Sequence, residues 1–293
     1  MRIQLAASAM AIAAFSLPAQ TPRAVTTDPP HDSRHPARME VLHIPSGGVK
    51  INGVAYIPSG AGAHPTFILL HGLPGNEKNL DLAQAVRRAG WTAITFNYRG
   101  SWGSPGDFRF GNNLEDADAV IAFLKDTANA RKLGVDTTRM VMAGHSMGGW
   151  VTVLTASHHP ELIGAVLISA ADMARVATAQ RDAAIRGMAG DMESLAGATP
   201  ESMVDEIRTN GAHWHFADGE PGLARIPLLV LTANDGLAPQ NDSLAAKVRA
   251  LGNTHVTTVH RATDHSWSDR RIDLESLVIN WLAGMVKLPV RAP

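Results

Sequence analysis

Residues 140–149 read Met-Val-Met-Ala-Gly-His-Ser-Met-Gly-Gly, and the fold turns on how this stretch is parsed. Met140–Ala143 is a short apolar run of the kind that forms a strand buried on both faces. Gly144-His145-Ser146-Met147-Gly148 then turns sharply, and an amphipathic run beginning at Trp150 predicts a helix. A strand, a tight turn and a helix around Gly-x-Ser-x-Gly make a nucleophile elbow, which lifts a serine hydroxyl clear of the sheet. Such a turn strains the serine backbone and tolerates almost no side chain on its flanks. Gly144, Gly148 and Gly149 meet that demand, so Ser146 is the first candidate for chemistry.

Outward from the elbow, strand-like and helix-like segments alternate. Met39–Ile44 and Val49–Ile57, separated by Pro45-Ser46-Gly47-Gly48, predict an antiparallel hairpin. Thr66–Leu70, Trp91–Phe96, Ile163–Ser169, Pro227–Thr232 and His255–His260 predict further strands. Leu80–Ala89, ending at Gly90, Leu114–Ala128 and Arg271–Met285 predict helices. This alternation predicts an α/β fold, a mainly parallel sheet flanked on both faces by helices. Residues 172–224 break the rhythm: they are rich in Met, Ala and Gly and carry no strand signal. We read them as a helical lid insertion, the alternative being one crossover helix and a loop.

The bulk properties narrow the function classes. A chain of 293 residues is long enough for one large α/β domain, placed over 38–287 with a tail at 288–293. A net charge of −1 gives no footing for nucleic acid. The absence of cysteine removes disulfides, thiol catalysis and Cys-based zinc sites together. Met1-Arg2, an apolar stretch from Ile3 to Leu17 and Pro18-Ala19 read as a secretory signal peptide over 1–19. The expected location is periplasmic or secreted. The apolar stretch is short for a membrane span and lacks a cysteine for a lipid anchor, so no stable membrane anchor is expected. Residues 20–37, polar and proline-rich, are expected to be a flexible linker.

A serine hydroxyl needs an adjacent base at neutral pH, and that base needs a carboxylate to orient it. Among thirteen histidines His265 is the best placed, in a short polar loop after the last predicted strand; His260, at the strand end itself, is the runner-up. Asp235 lies in Asn234-Asp235-Gly236 after the strand Pro227–Thr232, the bland alternative being a simple turn carboxylate. Backbone N–H groups of Met147 and of Leu73, the residue after His71-Gly72, are the expected oxyanion donors, with His71 bracing the turn. Tyr98, Trp102 and Trp214 are candidates for a substrate pocket, with core packing an equally good account of such residues. Arg99 is read as a structural partner of a carboxylate such as Asp107 or Asp116, the alternative being that it lines the pocket with Tyr98. His213-Trp214-His215 has poor spacing for a metal and no evident acidic third ligand.

The segments His71-Gly72-Leu73-Pro74-Gly75, Asn97-Tyr98-Arg99-Gly100-Ser101-Trp102-Gly103, Gly144-His145-Ser146-Met147-Gly148-Gly149, Asn234-Asp235-Gly236 and Asp264-His265 together resemble an α/β-hydrolase. Within that superfamily the chain is most similar to the dienelactone-hydrolase and prolyl-oligopeptidase-like branch, without a propeller, over roughly Arg38 to Val286. The resemblance implies a serine hydrolase with the triad Ser146, Asp235 and His265 in that chain order, forming an acyl-enzyme from a small-molecule ester. A peptidase, an amidase or an acyltransferase would use the same residues, and a catalytically inert binding module is the rival outside enzymes. No cofactor and no metal are implied, and the oligomeric state is left open.

Overall fold

Eight strands form one sheet: β1 (Arg38–Ser46), β2 (Val49–Ile57), β3 (His64–Leu70), β4 (Thr92–Phe96), β5 (Val135–His145), β6 (Leu162–Ile168), β7 (Leu228–Thr232) and β8 (Val256–His260). Their spatial order is β1-β2-β4-β3-β5-β6-β7-β8. β1 pairs with β2 and β2 with β4 antiparallel, and every other pairing is parallel. The computed structural model describes residues 20–286; the expected signal peptide (1–19) and tail (288–293) lie outside the described residues. Among the described residues no helix is long and apolar enough to cross a membrane.

The central strands are apolar along their whole length because helices cover both faces. Alternation along each strand sends side chains into two separate cores. Ile68, Leu70, Met140, Met142, Leu167 and Val230 enter one core, shared with α3 (Phe110–Lys125), α5 (Met147–His158), α8 (Phe216–Leu223) and α9 (Ala238–Ala250). Phe67, Leu69, Val141, Val166, Leu229 and Leu231 enter the other, closed by α2 (Leu80–Arg88) and α10 (Arg271–Met285).

Three local expectations need correction. The predicted helix Leu114–Ala128 is two helices, because Asp126 sits at φ −58°, ψ 129° and caps α4 (Thr127–Leu133) with its carboxylate on the Ala128 and Asn129 amides. The helix expected from Trp150 starts at Met147, and Met147 through Ala156 are all buried, so α5 is a central helix rather than an amphipathic surface one. The stretch 20–37 is not wholly a free linker. A helical turn, α1 (Arg23–Thr26), lays Ala24 and Val25 on the second core, and the Arg88 guanidinium donates to the Ala24 carbonyl.

Between β6 and β7 the chain makes α6 (Arg181–Met188), α7 (Pro200–Asn210), α8 and three short 3-10 turns, with no strand. Thr199 and Ser202 form a capping box at the start of α7. The interruptions that hid this segment's periodicity are real breaks between short helices, of which α7 and α8 start with capping boxes.

Candidate active site

The elbow is built by steric necessity. Ser146 adopts φ 55°, ψ −121° between β5 and α5. A Cβ on Gly144 would collide with the Gly148 carbonyl, and one on Gly148 with the carbonyls of Leu70 and His71. One on Gly149 would strike Ala170. The Ser146 amide donates to Ile168 O at 3.0 Å and its carbonyl accepts from Ala171 N at 3.0 Å, so the end of β6 holds the turn in place.

His265 follows β8 in the loop leading to α10. Its Nδ1 donates to Asp235 Oδ2 at 2.9 Å, and its carbonyl accepts from His145 Nε2, also at 2.9 Å. The His145 and His265 rings lie 4.7 Å apart, which brings His265 beside the elbow. The Asp235 side chain, after β7, is 3% exposed. Burial pushes its carboxyl up, but hydrogen bonds from His265, the Leu237 amide and the Ser169 hydroxyl outweigh that and hold it below the usual carboxylate range. The group is therefore an anion at neutral pH. His260 is turned elsewhere, its ring between the Thr232 hydroxyl and the Asn234 amide oxygen at 3.0 Å each.

The turn after β3 closes on the same point. A Cβ added to Gly72 would lie 2.8 Å from Ser146 Cβ and 3.4 Å from its Oγ, so Leu73 begins directly beside the hydroxyl. Neither the Leu73 nor the Met147 amide donates a hydrogen bond among the described residues. Met147 is the first residue of α5, where amides have no intrahelical partner. Two free donors thus flank Ser146. His71 braces this turn, its Nδ1 donating to Gly72 O at 2.8 Å.

The candidate pocket residues separate. Tyr98 is fully buried, its hydroxyl donating to His71 O at 3.4 Å from beneath the turn. Trp214 anchors the insertion on α5: its ring meets Trp150 at 5.5 Å and its carbonyl accepts from Trp150 Nε1 at 2.6 Å. Trp102 stands at the site's rim, 38% exposed, with Nε1 donating to Pro74 O at 2.7 Å. A cleft of about 770 Å³ opens between Trp102, Gly103 and Ser104 on one side and Glu193, Ser194 and Leu195 on the other. Arg99 is buried and paired with Asp116 and Glu115, both at 2.6 Å. His215 Nδ1 faces Asp172 Oδ2 at 3.5 Å, a carboxylate far enough back in sequence to escape the motif reading.

Sequence reasoning missed two supports. Ser169, at the end of β6, bonds Asp235 and in turn accepts from Trp267 Nε1 at 3.2 Å. Both residues hold positive φ, 44° and 58°. Their only sequence signal was position: Ser169 ends a strand beside the elbow, and Trp267 lies two residues after His265. The insertion also reaches the turn after β3. Ser101 and Leu195 form a β-bridge, Trp102 N donates to Ser194 O, and Ser194 Oγ donates to Pro74 O.

Comparison with known proteins agrees with this architecture. The sequence model of the alpha/beta hydrolase family matches residues 67–282. Two uncharacterized proteins of Mycobacterium tuberculosis are each 27% identical over 126 residues, a match spanning 43% of this chain and 43% of theirs. Est1E from Butyrivibrio proteoclasticus, solved with ferulic acid bound, superposes with a TM-score of 0.68 at 17% identity, covering 84% of this chain and 100% of Est1E. A hyperthermophilic esterase from the archaeon Pyrobaculum calidifontis gives 0.59 at 20% identity, covering 87% of each chain. At these identities the likeness to solved structures is one of fold.

Proposed function

The chain belongs to the alpha/beta hydrolase family, and from that premise we propose that it is a serine esterase working through Ser146, His265 and Asp235. The observation that carries the reading is the His265 Nδ1–Asp235 Oδ2 bond of 2.9 Å beside the elbow. It fixes the imidazole as the Nδ1–H tautomer and leaves Nε2 as a base with no hydrogen-bond partner among the described residues.

In this reading Ser146 Oγ attacks the ester carbonyl carbon while His265 Nε2 takes its proton. The carbonyl oxygen becomes an oxyanion received by the Leu73 and Met147 amides. Collapse breaks the bond to the alcohol oxygen, which leaves with the proton from His265. Water then attacks the acyl-enzyme by the same steps in reverse, giving the acid and free Ser146. Asp235 stays ionised throughout and stabilises the imidazolium. The cleft beside Trp102 would take one side of the ester, with residues 193–196 as its lid-borne wall.

A fluorophosphonate probe should label the protein once, at Ser146. Ser146→Ala should abolish labelling and lower kcat on p-nitrophenyl acetate by at least ~10⁴-fold with an unchanged circular dichroism spectrum. Labelling elsewhere, or near-full turnover in the variant, refutes the assignment. The same reading has the enzyme exported, so that the mature chain starts near Gln20. N-terminal sequencing of material from the periplasm or medium tests this, and finding Met1 there would refute it.

A further inference from the structure

The chain carries a second constellation at the far end of α5, unconnected with Ser146. Asp118 on α3, His158 at the end of α5 and His159 just beyond it bring one donor atom each within 4.8 Å of one another. His158 Nε2 lies 2.9 Å and His159 Nε2 3.0 Å from the same Asp118 Oδ1. From this geometry we infer that Asp118, His158 and His159 form a binding site for a divalent transition ion of the zinc type.

Convergence of this kind is not a default of the helix. Adjacent helical residues point about 100° apart and do not share a target. His159 leaves the helix at φ −112°, ψ 76°, as the residue before Pro160 is constrained to do, and swings its ring to within 4.8 Å of the His158 ring. Two neighbouring imidazoles thereby meet one carboxylate carried by a different helix.

Two of the three donor separations are close to what the ion needs, and the third lies within 4.8 Å. Zinc bonds of about 2.0–2.1 Å at tetrahedral angles place donor atoms about 3.3 Å apart. The two Nε2–Oδ1 separations need to open by only a few tenths of an ångström. Two imidazoles with one carboxylate favour zinc, cobalt, nickel or copper over magnesium or calcium, which prefer all-oxygen shells. The outer shell is present as well. His159 Nδ1 faces Glu161 Oε1 at 3.2 Å, the carboxylate contact that fixes a ligating imidazole's tautomer, and Lys125 holds Glu161 at 2.7 Å. On binding, each Nε2 gives up any proton it carries and offers its lone pair to the ion, while His159 keeps Nδ1–H for Glu161. His158 is 55% exposed, which leaves a fourth position for water.

The site ties α3, the end of α5 and the approach to β6 together. Helix α5 has 12 residues, so the ion would sit roughly 18 Å from the elbow. Its role is that of a staple.

The test is titration of the intact, metal-free protein with zinc, and with cobalt(II) followed by its visible absorption. One equivalent should bind with a Kd on the order of 1 µM. Cobalt should give the intense bands of a four-coordinate site, and Tm should rise by roughly 5–10 °C at 100 times Kd. His158→Gln and Asp118→Asn should weaken binding at least ~100-fold, and Glu161→Gln by ~10–100-fold. The metal-free Tm of His158→Gln, a surface change, should match the parent, which separates lost ligation from misfolding. Zinc that fails to bind below ~100 µM, or that binds His158→Gln as tightly as the parent, overturns the proposal.

Discussion

Ser146 lies at positive φ because the strand-to-helix turn leaves it no alternative, and its neighbours are chosen by what they must not carry. Gly72 is the sharpest case outside the elbow motif. It belongs to another strand's turn, yet its missing side chain is what lets that turn pack against Ser146. Gly72→Ala should push the two turns apart and misplace the Leu73 amide, the proposed oxyanion donor. A fall in kcat of ~10²–10³-fold with little change in KM is expected on p-nitrophenyl acetate. Parent-like kcat in the variant would remove Leu73 from the oxyanion role. At this scale much of the candidate site was legible in the sequence, because Ser146, Asp235, His265 and Leu73 each follow an apolar strand within a few residues. Ser169 and Trp267 were not legible. They act across space, through a hydroxyl that bonds Asp235 and an indole that bonds the hydroxyl, and no local pattern encodes such a contact.

Elements were readable where their apolar period was clean. The limits predicted for the last helix, Arg271–Met285, coincide with α10, and β2 with Val49–Ile57. The split between α3 and α4 was missed because Asp126, a favoured N-cap residue, was read inside one continuous helix, and the break shows only in its backbone angles. The docking of α1 was missed because two small apolar residues are too weak a signal in a proline-rich stretch. The α2–α10 contact holds a feature no periodicity reports. Glu275 on α10 is 7% exposed and faces Asp81 on α2, with Arg88 and Arg271 nearby. Burial, then the Asp81 charge and a hydrogen bond to it, push the Glu275 carboxyl up to about 7, so near neutrality it tends to keep a proton that Asp81 accepts. The unfolded chain releases that proton near the ordinary value of 4.5. The folded state binds more protons between those limits, and this contribution to stability is present at low pH and lost as pH rises through about 7. Glu275→Gln removes the cost of ionising there. It should raise stability at pH 8 by about 1–3 kcal/mol, a Tm gain of several degrees, and change little at pH 4.5. Equal Tm differences at both pH values would show that Glu275 is ionised in the fold.

The molecule as a whole is organised by one rim of its sheet. β3, β5, β6, β7 and β8 run parallel, so the turns carrying Leu73, Ser146, Ser169, Asp235 and His265 all leave the same edge. Packing those turns tightly buries two histidines that do no proton transfer in the proposed cycle. His71 uses Nδ1–H on Gly72 O and His145 uses Nε2–H on His265 O. The remaining nitrogens, His71 Nε2 and His145 Nδ1, are buried without a partner among the described residues. A proton added to either would be a buried donor with no acceptor, and burial accordingly lowers both rings to about 4. The unfolded chain protonates these sites below the ordinary 6.5 while the fold resists until about 4. Unfolding therefore takes up protons in that window, and stability falls as pH drops from 6.5 toward 4, by up to about 1.4 kcal/mol per pH unit for each histidine. Urea unfolding between pH 7 and 4 should show this decline, and His145→Gln should reduce its slope by close to one proton. An unaltered slope in that variant would mean that His145 titrates alike in both states, and the tightly packed rim inferred around the elbow would have to admit water.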